Sequence, residues 1–186
     1  MGEEDLAVFE RQGKRDEFGP GFLIELLRGP FGGAARGIGK DFEIEQSGGG
    51  GIVVLEPGQR YDATRDHLFV VGWDGPAEDL VVNGDSLPAP RVLAKGVTHR
   101  LRFVFIGAVN GHTLTLADSA GPVTWRAVAR DGYEMPAAQR ELLPAQFRGW
   151  AGQTWDFEFQ AARPGVYRLT LGDPAKPAWA GELVVR

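Results

Sequence analysis

The sequence predicts an all-β protein built as a sandwich, and three observations predict it. Apolar residues alternate with period two at Leu101, Phe103 and Phe105, while Arg100, Arg102 and Val104 face the other way. The same alternation recurs at Trp155, Phe157 and Phe159, and again at Tyr167, Leu169 and Leu171. Turn dipeptides, Asn83-Gly84, Asn110-Gly111 and Asp131-Gly132, divide the runs. Period two with one apolar face describes antiparallel sheets solvated on one side. Many short strands with frequent turns then give a sandwich or barrel.

The elements follow in order. Residues 1–50 form a glycine-rich N-terminal segment, with Gly29-Pro30-Phe31-Gly32-Gly33, Gly37-Ile38-Gly39 and four consecutive glycines from Gly48. Glycine at this density raises the entropy lost on ordering, so part of the segment is expected to be loosely ordered. Only residues 22–27 and 42–44 read as short structured pieces. Residues 51–186 form the β domain. Ile52-Val53-Val54-Leu55 is a β-branched run that needs a sheet partner, because an unpaired edge invites aggregation. Strands follow at residues 67–71, stopped by the turn region 72–76, and at residues 80–82, stopped by Asn83-Gly84, which tolerates positive φ. Further strands centre on Phe103, residues 112–116, 123–128, Phe157, Leu169 and residues 182–185. Helix is expected only at residues 137–143, ended by Pro144.

The chain has 186 residues, 43% hydrophobic and 24% charged, with a formal net charge of -5. That is an ordinary soluble composition, consistent with one domain and an extra segment. A mildly acidic chain without a basic run makes no groove for nucleic acid. The apolar cluster at residues 22–27 is short and carries Glu25, so no membrane partner is expected. The start, Met1-Gly2-Glu3-Glu4-Asp5, is acidic where a secretory leader needs a basic and then an apolar region, so export is not expected. Cysteine is absent. Disulfides, thiolate metal sites and a cysteine nucleophile are thereby excluded, and the compartment stays open.

Candidate chemistry is sparse. There are three histidines, His67, His99 and His112. His67 and His112 could share a metal only if their strands were neighbours; the plainer reading is polar residues at strand starts. His99 lies among arginine-bearing positions, where positive charge disfavours a cation. Gly33-Ala34-Ala35-Arg36-Gly37-Ile38-Gly39-Lys40 imitates a phosphate loop, but Ala34 replaces the first glycine and Asp41 stands where Ser or Thr should bind magnesium. Asp131 with Glu134, and Asp156 with Glu158, read as solvated carboxylates of a turn and a polar strand face. Ser47, Ser86 and Ser119 sit in loop contexts without a nucleophile elbow. Trp73, Trp150 and Trp179 fall outside the alternating strands and read as plugs at the ends of the core, or as a docking patch if exposed.

Residues from about 50 to 186 resemble a multicopper oxidase. Residues 51–58 are similar to the strand closing such an enzyme's first plastocyanin-like domain, and Val81-Val82-Asn83-Gly84 to the hairpin of its second. Gly96-Val97-Thr98-His99-Arg100-Leu101-Arg102-Phe103, Trp125-Arg126-Ala127-Val128, Gly152-Gln153-Thr154-Trp155-Asp156-Phe157 and Pro164-Gly165-Val166-Tyr167 resemble its later strands. The resemblance implies a cupredoxin-like Greek-key β-sandwich, copper as the family's cofactor, and usual export of the family to periplasm or cell exterior. The family's His-x-His pairs and its histidines clustered around a cysteine have no counterpart here. The chain therefore resembles the copper-free middle domain, and no catalytic, cofactor-binding or metal residue carries over.

The expected function is a non-catalytic, cupredoxin-like structural domain, a fragment or truncated relative of a copper-dependent oxidoreductase. Its expected partners are other cupredoxin domains or a copy of itself. The alternative is an independent β-sandwich that binds carbohydrate or another ligand through loop tryptophans.

Overall fold

β-branched and aromatic runs fit a pleated, half-buried surface, and glycine or asparagine at their ends lets the chain reverse. The computed structural model describes residues 7–8, 23–27, 51–55, 60–74, 79–106 and 111–186. The chain divides into two units, residues 1–61 and 62–186.

Three strands are described in the first unit: β1 (Ala7–Val8), β2 (Leu23–Leu27) and β3 (Gly51–Leu55), antiparallel and adjacent in that order. Strand β2 matches the piece expected at residues 22–27. It also supplies the partner that residues 52–55 require, with Leu23 opposite Leu55 and Leu26 opposite Ile52. The piece expected at residues 42–44, and the loose order expected within residues 1–50, lie outside the described residues.

The second unit carries β4 (Asp66–Asp74), β5 (Asp79–Val82), β6 (Arg91–Leu93), β7 (Thr98–Phe105), β8 (His112–Asp118) and β9 (Gly121–Pro122). It continues with β10 (Thr124–Arg130), β11 (Tyr133–Glu134), β12 (Leu142–Pro144) and β13 (Gln146–Gly149). It ends with β14 (Thr154–Gln160), β15 (Gly165–Asp173) and β16 (Lys176–Val185). One sheet runs β11-β10-β14-β7-β4-β5, with β12 also on β10; the other runs β13-β8-β15-β16-β6, with β9 on β8. Each contains one parallel pair, β4 with β7 and β6 with β16. The remaining pairs are antiparallel, as the Greek-key sandwich expected from the sequence requires.

Two expectations are corrected. Strand β4 does not stop at Gly72 but runs to Asp74. A Cβ at Gly72 would lie 3.1 Å from the Ile106 side chain, so this glycine permits close packing rather than a turn. Residues 137–143 are not a helix: they make one 3-10 turn, Ala137–Gln139, and lead into β12. Seven residues are too few to stabilise an isolated helix, and pairing Leu143 opposite Trp125 extends the sheet instead.

The core lies between the sheets. Phe69, Phe103, Trp125 and Phe157 from one meet Leu114, Leu116, Leu169, Leu171 and Leu183 from the other. Trp125 stacks on Phe157 with ring centroids 4.1 Å apart, and Phe69 on Phe103 at 4.9 Å. Asn83 sits at φ 54°, and its side chain completes β4 where β5 does not reach. Its Oδ1 accepts from Val70 N at 2.7 Å, and its Nδ2 donates to Leu68 O at 2.9 Å. Tyr167 is buried, and its hydroxyl donates to Arg163 O at 2.7 Å, fixing the corner between β14 and β15.

Gly149 shows how tight this packing is, because a Cβ there would fall 2.2 Å from the Phe105 ring. Gly149→Ala is expected to destabilise the protein by about 1–3 kcal/mol through overpacking. Chemical denaturation would check this, and an unchanged midpoint would mean that the Phe105 ring moves aside freely.

Candidate functional site

The alternation of β7 decides where the histidines go. His99 shares its face with Leu101, Phe103 and Phe105, and all four are buried at 1% exposure or less. His67 opens the inward face of β4 and is 5% exposed. Parallel pairing of β4 with β7 brings the rings together, with centroids 5.2 Å apart and His67 Nε2 3.1 Å from His99 Nδ1. His99 Nε2 lies 3.1 Å from Ala94 O. That carbonyl can only accept, so His99 carries its proton on Nε2 and presents a lone pair at Nδ1. His67 Nε2 donates into it. Burial first, then His99 and Arg91, push the His67 pKa down from 6.5 to about 4, with Asp62 pulling the other way.

His112 is elsewhere. It stands at the start of β8, in the opposite sheet, with its ring 5.6 Å from that of Trp73 at the far end of β4. Six positions of extended strand separate His67 from Trp73, about 20 Å. His67 and His112 therefore cannot share a metal, because their strands are not neighbours. Burial and the Arg148 charge lower the His112 pKa, and its Nε2 is buried without a hydrogen-bond partner among the described residues. The pairing of His67 with His99 was readable in principle. His99 has the parity of Leu101, whereas its arginine neighbours have the other.

The carboxylates also need correction. Asp156 is opposite Arg102 in the β7–β14 register. Arg102 donates to Asp156 Oδ2 at 2.6 Å and to Asp66 Oδ1 at 2.6 Å. Arg100 donates to Asp156 Oδ2 at 2.8 Å and to Glu134, which also accepts from Arg140 at 3.0 Å. Asp156 is thus held in a cross-strand ion ladder with its side chain only 14% exposed, not solvated. Burial works against the Arg100 charge, and Asp156 and Glu134 raise its pKa nevertheless. Asp131 is a turn residue as expected, at φ 49°, its Oδ1 accepting from Thr154 N at 3.1 Å. Ser86 and Ser119 are exposed in a bend and a turn. Ser47 and the Gly33 to Lys40 motif lie outside the described residues.

The tryptophans divide. Trp179 is a core plug, 4% exposed, and its Nε1 donates to Asp85 O at 2.9 Å. Trp73 and Trp150 remain 37% and 45% exposed. The Arg148 guanidinium lies 4.9 Å from the Trp150 ring centre, and Gly111 touches that ring so closely that a Cβ would fall 2.8 Å from it.

A blue copper centre takes two imidazoles and a thiolate. The sequence has no cysteine, and His67 and His99 already hold each other and Ala94 O. No group of three or more His, Cys, Asp or Glu side chains suited to a metal gathers among the described residues. The donor set does not fit copper of this kind. No helix among the described residues is long and apolar enough to cross a membrane.

No protein-family model and no curated protein matches this chain. Among solved structures, it is similar to a multicopper oxidase at TM-score 0.57 and 16% identity, over 89% of this chain and 56% of that one. A laccase-like multicopper oxidase from Ochrobactrum sp. matches at TM-score 0.57 and 16% identity, over 74% of this chain and 36% of that one. A copper nitrite reductase from Nitrosomonas europaea matches at TM-score 0.56 and 13% identity, over 74% and 55%. Identities this low show a shared cupredoxin-like fold and nothing finer. The chain spans between 36% and 56% of the length of these three structures.

The neutral His67 gives stability a defined pH dependence. The unfolded chain takes up a proton near 6.5, the folded one only near 4, so stability is full above 6.5 and falls as pH drops between these values. At about 1.4 kcal/mol per unit, His67 accounts for a loss of up to about 3 kcal/mol. Urea denaturation from pH 7.5 to 4.5 would measure it. His67→Gln is expected to lose less stability than the parent over this range, and an equal loss would remove His67 as the cause.

Proposed function

We propose that this chain is a non-catalytic, cupredoxin-like structural domain of the multicopper-oxidase type. It packs against another cupredoxin domain or a second copy of itself, and it is a fragment or truncated relative of a copper-dependent oxidoreductase. One observation carries the reading. Two of the three imidazoles are joined in the core and pinned to Ala94 O, in a sequence without cysteine. Ligands held in this way are withdrawn from solvent and from any substrate, so the scaffold keeps its packing role alone. The likeness to copper proteins at 13–16% identity supports the scaffold half of this reading.

The test is direct. Purified protein incubated with copper and then desalted is expected to retain no stoichiometric metal, show no blue absorption and leave a phenolic dye unoxidised. Sedimentation is expected to show self-association, or complex formation with a copper-bearing cupredoxin domain. A blue protein that turns over the dye would end this reading.

A second reading, a ligand- or carbohydrate-binding sandwich, is favoured by the exposure of Trp73 and Trp150, 37% and 45%. Exposed tryptophan faces stack on sugar rings or anchor interfaces. A polysaccharide titration that shifts tryptophan fluorescence in the parent but not in a Trp73→Ala, Trp150→Ala double variant would favour it over the structural role.

A further inference from the structure

The join between His67, His99 and Ala94 O does more than fill the core. Ala94 follows the last residue of β6, an edge strand of the six-stranded sheet, whereas His67 and His99 belong to the seven-stranded sheet. The connection through residues 94–97 crosses from one sheet to the other. Lys95 N donates to Arg186 O at 2.8 Å and Gly96 N to Ala161 O at 3.1 Å. Only three residues of β6 pair with β16, in parallel. So short a strand depends on its anchors, and the histidine chain is the one anchor among them that titrates.

We propose that the His67–His99 pair is an acid-operated latch that holds β6 on the edge of its sheet and lets it go when a proton is bound. In the closed form each ring carries one proton, and each proton has an acceptor: His99 Nδ1 for His67, Ala94 O for His99. A further proton on His67 places a cation, buried, near the Arg91 charge of β6 itself. Asp62, in the turn before β4, opposes this, but its influence is the smallest of those acting on His67. Opening lets water solvate both rings. It bares the β16 edge at Leu183, Val184 and Val185, which now pair with β6. This inference is independent of the structural role proposed above.

Amide hydrogen exchange on the full chain tests it, with rates corrected for the intrinsic effect of pH. The amides of Leu93, Lys95 and Gly96 are expected to exchange faster than those of Leu169 and Leu171 in β15 at every pH. Their opening is expected to rise by about tenfold per pH unit between 6.5 and about 4, as uptake of one proton by His67 requires. In His67→Gln this pH dependence is lost; should that variant not fold, His67→Phe serves, since it also lacks the titrating group. Exchange of both segments at one rate would mean global unfolding alone and overturn the latch. So would a pH dependence that survives in the variant.

Discussion

The second unit depends on one strand, β7, being satisfied on both faces at once. It is paired on one side with β4 and on the other with β14. Its inward residues, His99, Leu101, Phe103 and Phe105, are all buried. Its outward arginines, Arg100 and Arg102, reach Asp66, Asp156 and Glu134 on three other strands. Cross-strand pairs of opposite charge add modestly to a sheet where exposed. Here the Arg102 and Asp156 side chains are about 15% exposed, so losing one partner strands a poorly hydrated charge. The ladder therefore fixes register as well as stability. A slip of one residue would turn Arg100 and Arg102 into the aromatic core and His99 out of it.

The same register explains why the histidines do not form a metal site. Parallel pairing sets His67 beside His99 at one end of β4, and His112 lies at the other, in edge-to-face contact with Trp73. A metal would need deprotonated, convergent donors from several directions. The surroundings of His67 instead include Arg91 and a second imidazole, both of which disfavour added positive charge. A pair of neutral rings passing hydrogen bonds in one direction, ending on a carbonyl, is the arrangement that such a pocket favours.

Much of the sandwich was legible because its signals are local. Alternation located β7, β14 and β15, and the asparagine at Asn83 and the aspartate at Asp131 do adopt the positive φ that their dipeptides suggest. What the sequence hid was non-local. Strand β6 has three residues and takes its pairing from β16, some ninety positions away. Strand β12 overrode a helical pattern because β10 offered an edge. The ion ladder and the histidine pair both arise from which strands lie side by side. No window of consecutive residues carries that information. The placement of the Trp150 ring likewise depends on Gly111, a residue in another strand's approach, where a Cβ would meet that ring.

Open sheets leave edges, and in the second unit the described bordering strands are short. The bordering strands β5, β6, β11, β12 and β13 have between two and four residues. Short edges offer few unpaired backbone groups to a foreign strand, and Pro144 removes a donor from β12. Some of the apolar side chains left outside are on these same elements: Tyr133, Leu142, Leu143 and Val92 are 49–81% exposed. Side-chain contact is thus the easier mode of association in the closed form. β6 is the exception in consequence, because it covers the last three residues of β16, which at ten residues is the longest described strand. Removing β6 adds Leu183, Val184 and Val185 to the unpaired side of this strand, which is why an anchor that responds to protons at that point bears on association.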